Sequence, residues 1–412
     1  MTDLKRNVPE LRFPEFEGEW EEKPLNEKVE FYSGLTYSPD DITDEKGTFV
    51  VRSSNIKNNR LIDADNVYVN LKKLTIEKVK DGDIIVVVRN GSRKLIGKHA
   101  LVSSTLNNTV IGAFMTGIRT DNSLFINALL DTETFKRNIH MNLGATRNQI
   151  TVGMFKKMKF YIPIDSEQQK IGGFFSKLDR QIELEEQKLV LLEEQKKGYM
   201  QKIFSQELRF KDDNGNDYPE WEEKKLSDLG SYSKSYSFSR DVEGEGKVHH
   251  IHYGDIHSKL PSKISDINLL PTIKESKDFE FLQKGDIIFA DASEDYKDLG
   301  KAIMVDIDED NIIAGLHTHI FRPNLQVVSE FLMYYTKTLN YFKFIKRQGT
   351  GISVLGISKK NLSNFILGLP EYKEQQKIGD FFSKLDQQIE LQGQKIENLK
   401  QRKKGLLQKM FV

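Results

Sequence analysis

The 412 residues predict an α+β protein, with two tandem globular α/β modules separated and joined by two long helices that pair as an antiparallel coiled coil. Three observations carry that expectation. Residues 167–204 align without gaps to residues 374–411 at an offset of 207, with 25 of 38 positions identical. Both segments show a sustained apolar period of about 3.5 residues, the coiled-coil signal. The stretches ahead of them hold short apolar, β-branched runs bounded by turn residues, as buried strands do.

The repeat reaches beyond the helices. ELRF at 10–13 recurs at 207–210, and EWEEKPL at 19–25 recurs as EWEEKKL at 220–226. DGDII at 81–85 returns as KGDII at 284–288, Gly97 and Lys98 as Gly300 and Lys301, Arg119 as Arg322, and Pro163 as Pro370. The order is therefore a module over 1–165, a helix over 166–205, a second module over 206–372 and a second helix over 373–412. A period this long excludes a solenoid built from units of about 20–50 residues.

In the first module, 48–51 and 83–88 read as strands and 124–140 as a helix packed on them. In the second, 248–251 and 286–290 read as strands and 328–347 as a helix. Each long helix follows a proline, and Asp165 or Ser166 can accept a bond from a free N–H of the first turn. The first seam comprises Ile171, Phe175, Leu178, Ile182, Leu189, Leu192, Tyr199 and Ile203. The second comprises Ile378, Phe382, Leu385, Ile389, Ile396, Leu399, Leu406 and Met410. Polar residues interrupt at matching places, Glu185 and Lys196, then Gln392 and Lys403. They either fix register or face water where the pair splays. A rod of roughly 57 Å cannot bury its seam on one small domain, so the two helices are expected to bury against each other.

Composition narrows the function. Hydrophobic residues make up 38%, and 25 Phe and 14 Tyr are too many for a disordered chain. No apolar run reaches about 18 residues and no secretory leader opens the chain, so a cytoplasmic protein without a membrane span is expected. Zero cysteines exclude disulfides, thiolate metal sites and cysteine nucleophiles. Basic and acidic residues balance at 61 each, which does not advertise nucleic-acid binding. The balance is uneven, with 18 basic against 9 acidic residues over 51–165. A local basic face is thus compatible with a neutral whole.

Polar loops follow the strands. Arg89, Asn90, Ser92, Arg93 and Lys94 form one, and Arg147, Asn148 and Gln149 belong to another. Arg, Asn and Gln are the side chains that pair two-pronged with guanine or adenine edges. The corresponding loops of the second module offer Ser293, Tyr296, Lys297, Gln348, Thr350 and Ser353. These differences are what two readers of different sequences display. Catalytic motifs are missing: no Gly-rich phosphate loop, no Asn/Asp-Pro-Pro-aromatic tetrad, no GxSxG. His250 and His252 share a strand face and could chelate a metal, although the first module has no counterpart. Asp266, Glu275 and Lys277 have a nuclease-like spacing, a short pattern in a chain that is 30% charged.

The opening LRFPEFEGEWEEKPL, the twice-used EQQKI start of a long helix and its FFSKLD continuation resemble the specificity subunits of type I restriction–modification systems. The resemblance spans essentially the whole chain. It implies two target-recognition domains, each reading one half of a split double-stranded DNA target. It implies that the helical pair sets the spacer and docks two modification subunits that methylate adenine, and that restriction subunits can join. S-adenosylmethionine, ATP and Mg²⁺ then belong to partner subunits, with no cofactor, metal or catalytic residue in this chain. Half-sites on one face of B-DNA lie about 34 Å apart, which a rod of this length accommodates. The first module is nearly neutral and the second acidic, 21 basic against 27 acidic over 206–372. The isolated chain is therefore expected to bind DNA weakly, with partners supplying much of the phosphate contact. A structural adaptor and a metal-dependent nuclease are the alternatives.

Overall fold

The structure is a computed structural model and describes residues 7–70, 76–104, 106–143, 148–275, 278–309 and 311–412. The chain divides into two units, one of residues 1–187 with 393–412, the other of residues 188–392. Each long helix is shared. Asp165–Phe204 opens in the first unit and closes in the second, and Tyr372–Met410 does the reverse.

In the first unit, Ile84–Val87 is buried at every position and lies inside a four-stranded antiparallel sheet. The strand order is Glu30–Ser33, Met115–Arg119, Ile84–Val87, His99–Leu101. A second sheet orders Thr109–Ile111, Thr48–Val51, Val67–Val69 and Ile42–Thr43, its first pair parallel. A two-stranded ribbon, Glu21–Pro24 with Lys159–Ile162, leads into the long helix.

The second unit repeats the plan. Ile287–Ala290 is fully buried at the centre of a five-stranded sheet of Gly230–Ser233, Thr318–Pro323, Ile287–Ala290, Ala302–Val305 and Lys263–Ile264. Glu243–Ile251 pairs with Thr272–Ile273 and, in parallel, with Ile312–Ala314. The matching ribbon is Glu222–Lys225 with Ile366–Leu369.

The helix expected over 124–140 is two helices, Ser123–Leu130 and Glu133–Asn142, and that over 328–347 is Ser329–Tyr335 and Leu339–Gln348. A threonine restarts the chain each time. Thr132 Oγ1 accepts from Phe135 N at 3.2 Å and Thr338 Oγ1 from Tyr341 N at 3.3 Å. Apolar spacing continues across both breaks, so periodicity conceals a turn that N-caps reveal.

In each unit the ends of the long helices enter the core. Phe175 and Phe411 join Trp20 and Phe125 in the first, with ring centroids 5.5–6.4 Å apart. Phe382 and Phe204 join Trp221 and Phe331 in the second, at 5.7–6.4 Å. Full burial of one such ring contributes about 1.5–3 kcal/mol. Ile171, Leu178, Ile182, Ile203, Ile378, Leu385, Ile396 and Met410 are also buried, while Leu189, Leu192, Ile389 and Leu399 are half-buried.

The polar seam residues are paired. In the first unit Lys403 reaches Asp179 and Asp131, both at 2.6 Å, and Glu185 meets Lys395 at 2.5 Å. In the second unit Lys196 bonds Asp386, which also accepts from the Tyr334 hydroxyl at 2.8 Å. Gln392 is buried. The Lys403–Asp179 and Lys196–Asp386 pairs occupy equivalent places in the repeat, and both put a lysine of one helix on an aspartate of the other, antiparallel to it. That geometry resolves the seam lysines in favour of register over exposure.

Candidate DNA interface

The loop after each central strand meets the loop after the last pair of short helices. In the first unit, Ile150 N donates to Val88 O at 2.8 Å, and Arg89 and Gln149 form an antiparallel bridge. Asn148 Nδ2 donates to Gly91 O at 2.9 Å. Loops some sixty residues apart thus become one ledge. Asn90 is the internal brace: its Oδ1 accepts from Ser92 N at 2.9 Å, and its Nδ2 donates to Ser53 Oγ at 3.1 Å. Ser92 is exposed at the turn so formed. Arg93 and Lys94 are exposed on the next short turn, where Arg93 donates to Leu143 O at 3.3 Å. Arg89 and Gln149 are exposed. Arg147 lies outside the described residues.

The second unit makes the same join at the same place in the repeat. Ala292 and Ser293 pair with Gly356 and Leu355, and Thr350 exchanges backbone bonds with Gly356 at 3.0 and 2.7 Å. Ser293 is buried, its hydroxyl accepting from Asp295 N at 3.2 Å. Tyr296 is half-buried against the core. Gly349 lets the loop pass it, since a Cβ there would come within 3.0 Å of the Tyr296 ring. The Gln348 carbonyl accepts from Asn361 Nδ2 at 3.4 Å. Lys297, Thr350 and Ser353 are exposed. The structure therefore brings the described candidates of each unit together. Asn90 and Ser293 serve the loops' own geometry, while Arg89, Arg93, Lys94, Gln149, Lys297, Thr350 and Ser353 face outward.

Charge pairing separates scaffold from surface. Arg119 forks onto Asp83 at 2.8 Å and Arg322 onto Asp286 at 2.8 Å. Arg12 does the same to Glu167, and Arg209 to Glu374. The Asp286 hydrogen bonds raise Arg322 above the ordinary arginine range, and Glu374 does so for Arg209. Such guanidinium groups are engaged with carboxylates and offer little to a phosphate. By contrast, Arg89, Arg93, Lys94 and Lys297 have no acidic partner among the described residues.

Sequence reasoning missed several neighbours. Lys343, Lys346 and Arg347 lie exposed on Leu339–Gln348, the helix that runs into the 348–356 loop, again with no acidic partner among the described residues. Their spacing of three and four, opposite buried Tyr341, Phe344 and Ile345, marks a polar helix face and was the available signal. Phe114, Ile352 and Val354 are apolar and exposed beside the ledges, with no sequence signal of their own.

His252 and Asp266 have structural partners. His252 Nδ1 accepts from Gly254 N at 3.1 Å, capping the next short helix, and burial pushes the imidazoles of His250 and His252 below the ordinary histidine range. Asp266 Oδ1 accepts from Asn268 N at 2.9 Å in a turn. Lys277 lies outside the described residues.

The family profile for the type I restriction modification DNA specificity domain matches residues 17–194 and again 218–401. The chain belongs to this family. The two matches fall one on each half of the internal repeat, which explains a duplicated scaffold with divergent ledges. A type I restriction enzyme HindI specificity subunit from Haemophilus influenzae is 30% identical over 199 residues, 47% of this chain and 41% of that protein. The MjaVIII specificity subunit from Methanocaldococcus jannaschii is 24% identical over 344 residues, 80% of this chain and 78% of that one. An S subunit crystal structure from M. genitalium shares the fold, with a TM-score of 0.61 at 16% identity over 98% of this chain and 99% of that one. Among the described residues of this specificity-family chain, no helix is long and apolar enough to cross a membrane.

Proposed function

We propose that this chain is the DNA sequence-specificity subunit of a type I restriction–modification complex, each unit reading one half of a bipartite double-stranded target. The helical pair sets the spacer and docks two adenine-methylating modification subunits, and restriction subunits join the assembly. The chain contributes recognition without chemistry. S-adenosylmethionine, ATP and Mg²⁺ act in the partner subunits, and the complex works in the cytoplasm.

One observation carries this reading. In both units, two loops distant in sequence are joined at the same place in the repeat, and the joined edge carries cations without acidic partners among the described residues. Unpaired Arg and Lys beside Gln, Thr and Ser is the chemistry of phosphate and base-edge contact. The adaptor reading leaves those cations without a purpose. The nuclease reading loses Asp266 to a turn.

The test is to map adenine methylation in cells carrying the cognate modification subunit, with and without this chain. A split motif that appears only with the chain is the expected result. No motif, with the modification subunit present and folded, would overturn the proposal.

A further inference from the structure

The turn before strand Met115–Arg119 and the turn before strand Thr318–Pro323 are equivalent, and each presents one ring beside its ledge. In the first unit the ring is Phe114. Its carbonyl accepts from Val88 N at 2.9 Å and Arg89 N at 3.2 Å, so it is tied to the start of the reading loop. Phe114 is 51% exposed, unusual for a phenylalanine in a chain that buries most of its large apolar rings. The Arg89 guanidinium lies over the ring, 4.9 Å from its centroid. Stacking on one face leaves the edge N–H groups of Arg89 free and holds them in one plane. Phe114 also lines a cleft of about 590 Å³ with Tyr37, Arg52 and Ser53.

In the second unit the equivalent residue is His317, at the offset of 203 that relates the two sheets. Its carbonyl accepts from Asp291 N at 3.1 Å, as Phe114 does from Val88. Its backbone is left-handed, with φ of +56°, which non-glycine residues seldom adopt. Its Nδ1 lies 3.2 Å from Asp291 Oδ1, and its ring is edge-on to Tyr253 at 5.2 Å. The same turn therefore offers an apolar, guanidinium-capped ring in one unit and a hydrogen-bonding ring braced by a carboxylate in the other.

We infer that residues 114 and 317 are paired specificity-determining positions, each reading the base step beside its ledge in the DNA major groove. Phe114 with Arg89 suits a thymine methyl next to a guanine, which Arg contacts two-pronged. His317 suits a base edge that exchanges a hydrogen bond. This inference rests on the proposed reading function.

The test uses the chain assembled with its modification subunit and maps the methylated motif for Phe114→Ala, Phe114→His and His317→Ala. Phe114→Ala should lower discrimination at one position of one half-site by about fivefold or more. The other half-site stays intact and shows that the complex has assembled. Phe114→His should change the preferred base there, and His317→Ala should relax the other half-site alone. An unchanged motif in the Phe114 variants, or equal loss in both halves, would overturn the inference and leave the specificity function standing. A wild-type complex that produces no motif would overturn both.

Discussion

The scaffold and the ledges of this molecule treat charge in opposite ways. In the scaffold, each unit repeats the same ion pairs: Arg12–Glu167 and Arg209–Glu374, Arg119–Asp83 and Arg322–Asp286, Lys403–Asp179 and Lys196–Asp386. At the ledges little repeats beyond the backbone join and the turn that Asn90 and Ser293 each cap by accepting from the backbone N–H two residues on. Where one unit has Arg89 over Phe114, the equivalent place in the other has Asp291 with His317. The comparison teaches that a buried charge with a partner serves architecture, and that the unpaired remainder marks the surface that differs by function.

The largest effect expected is on the scaffold. Glu374 has no exposed side-chain surface and accepts from Arg209 Nε, Arg209 Nη2 and Trp221 Nε1 at 3.2, 2.8 and 3.1 Å. Among the described residues, Glu167 accepts from Arg12 alone and Trp20 Nε1 has no hydrogen-bond partner. Glu374→Ala should therefore cost about 3–5 kcal/mol in denaturant unfolding, and more than Glu167→Ala. Equal losses would show that the tryptophan bond does not distinguish the two units.

Next comes Lys403. Burial pushes its ammonium down, but Asp131 and Asp179 hold it above the ordinary lysine range. A raised lysine stabilises fully below its unfolded value of about 10.4, and that contribution disappears as pH climbs through the folded value. Lys403→Met should cost about 3 kcal/mol at neutral pH by removing the buried cation that Asp131 and Asp179 share. It should also flatten the loss of stability in the alkaline range above about pH 10. Burial pushes the Asp131 carboxyl up, yet His99, Lys403 and Asn59 hold it below its usual range. Its contribution is thus present above about pH 3.9 and lost as pH falls further.

The smallest effect marks the boundary between the two kinds of charge. Lys395 pairs with Glu185 at 2.5 Å but is 51% exposed. Lys395→Ala should cost less than about 1 kcal/mol. A cost near that of Lys403→Met would erase the distinction between buried and exposed pairs along the seam.

Much of the scaffold was legible from residues alone because duplication and helical period are linear patterns. The offset of 207 and the seam from Ile171 to Met410 needed no third dimension. The breaks at Thr132 and Thr338 were hidden because apolar spacing runs through them. The division of each long helix between two units was hidden too, since a seam does not say which core receives its end. At the ledges, residue type pointed to Arg89, Gln149, Lys297 and Ser353, but not to the structural duties of Asn90 and Ser293. Phe114 and His317 share the offset of 203, but residue type alone did not single them out; their common place beside the ledge shows in the carbonyl bonded to the neighbouring strand's end.

The most direct measurement compares the methylated motif of two double variants assembled with the modification subunit, Arg89→Ala with Gln149→Ala, and Lys297→Ala with Ser353→Ala. Each should relax a different half of the target, at about 1–3 kcal/mol for each lost base contact, while the other half is unchanged. Two variants that alter the same half, or that leave both halves intact, would contradict the account that each unit reads its own half through these joined loops.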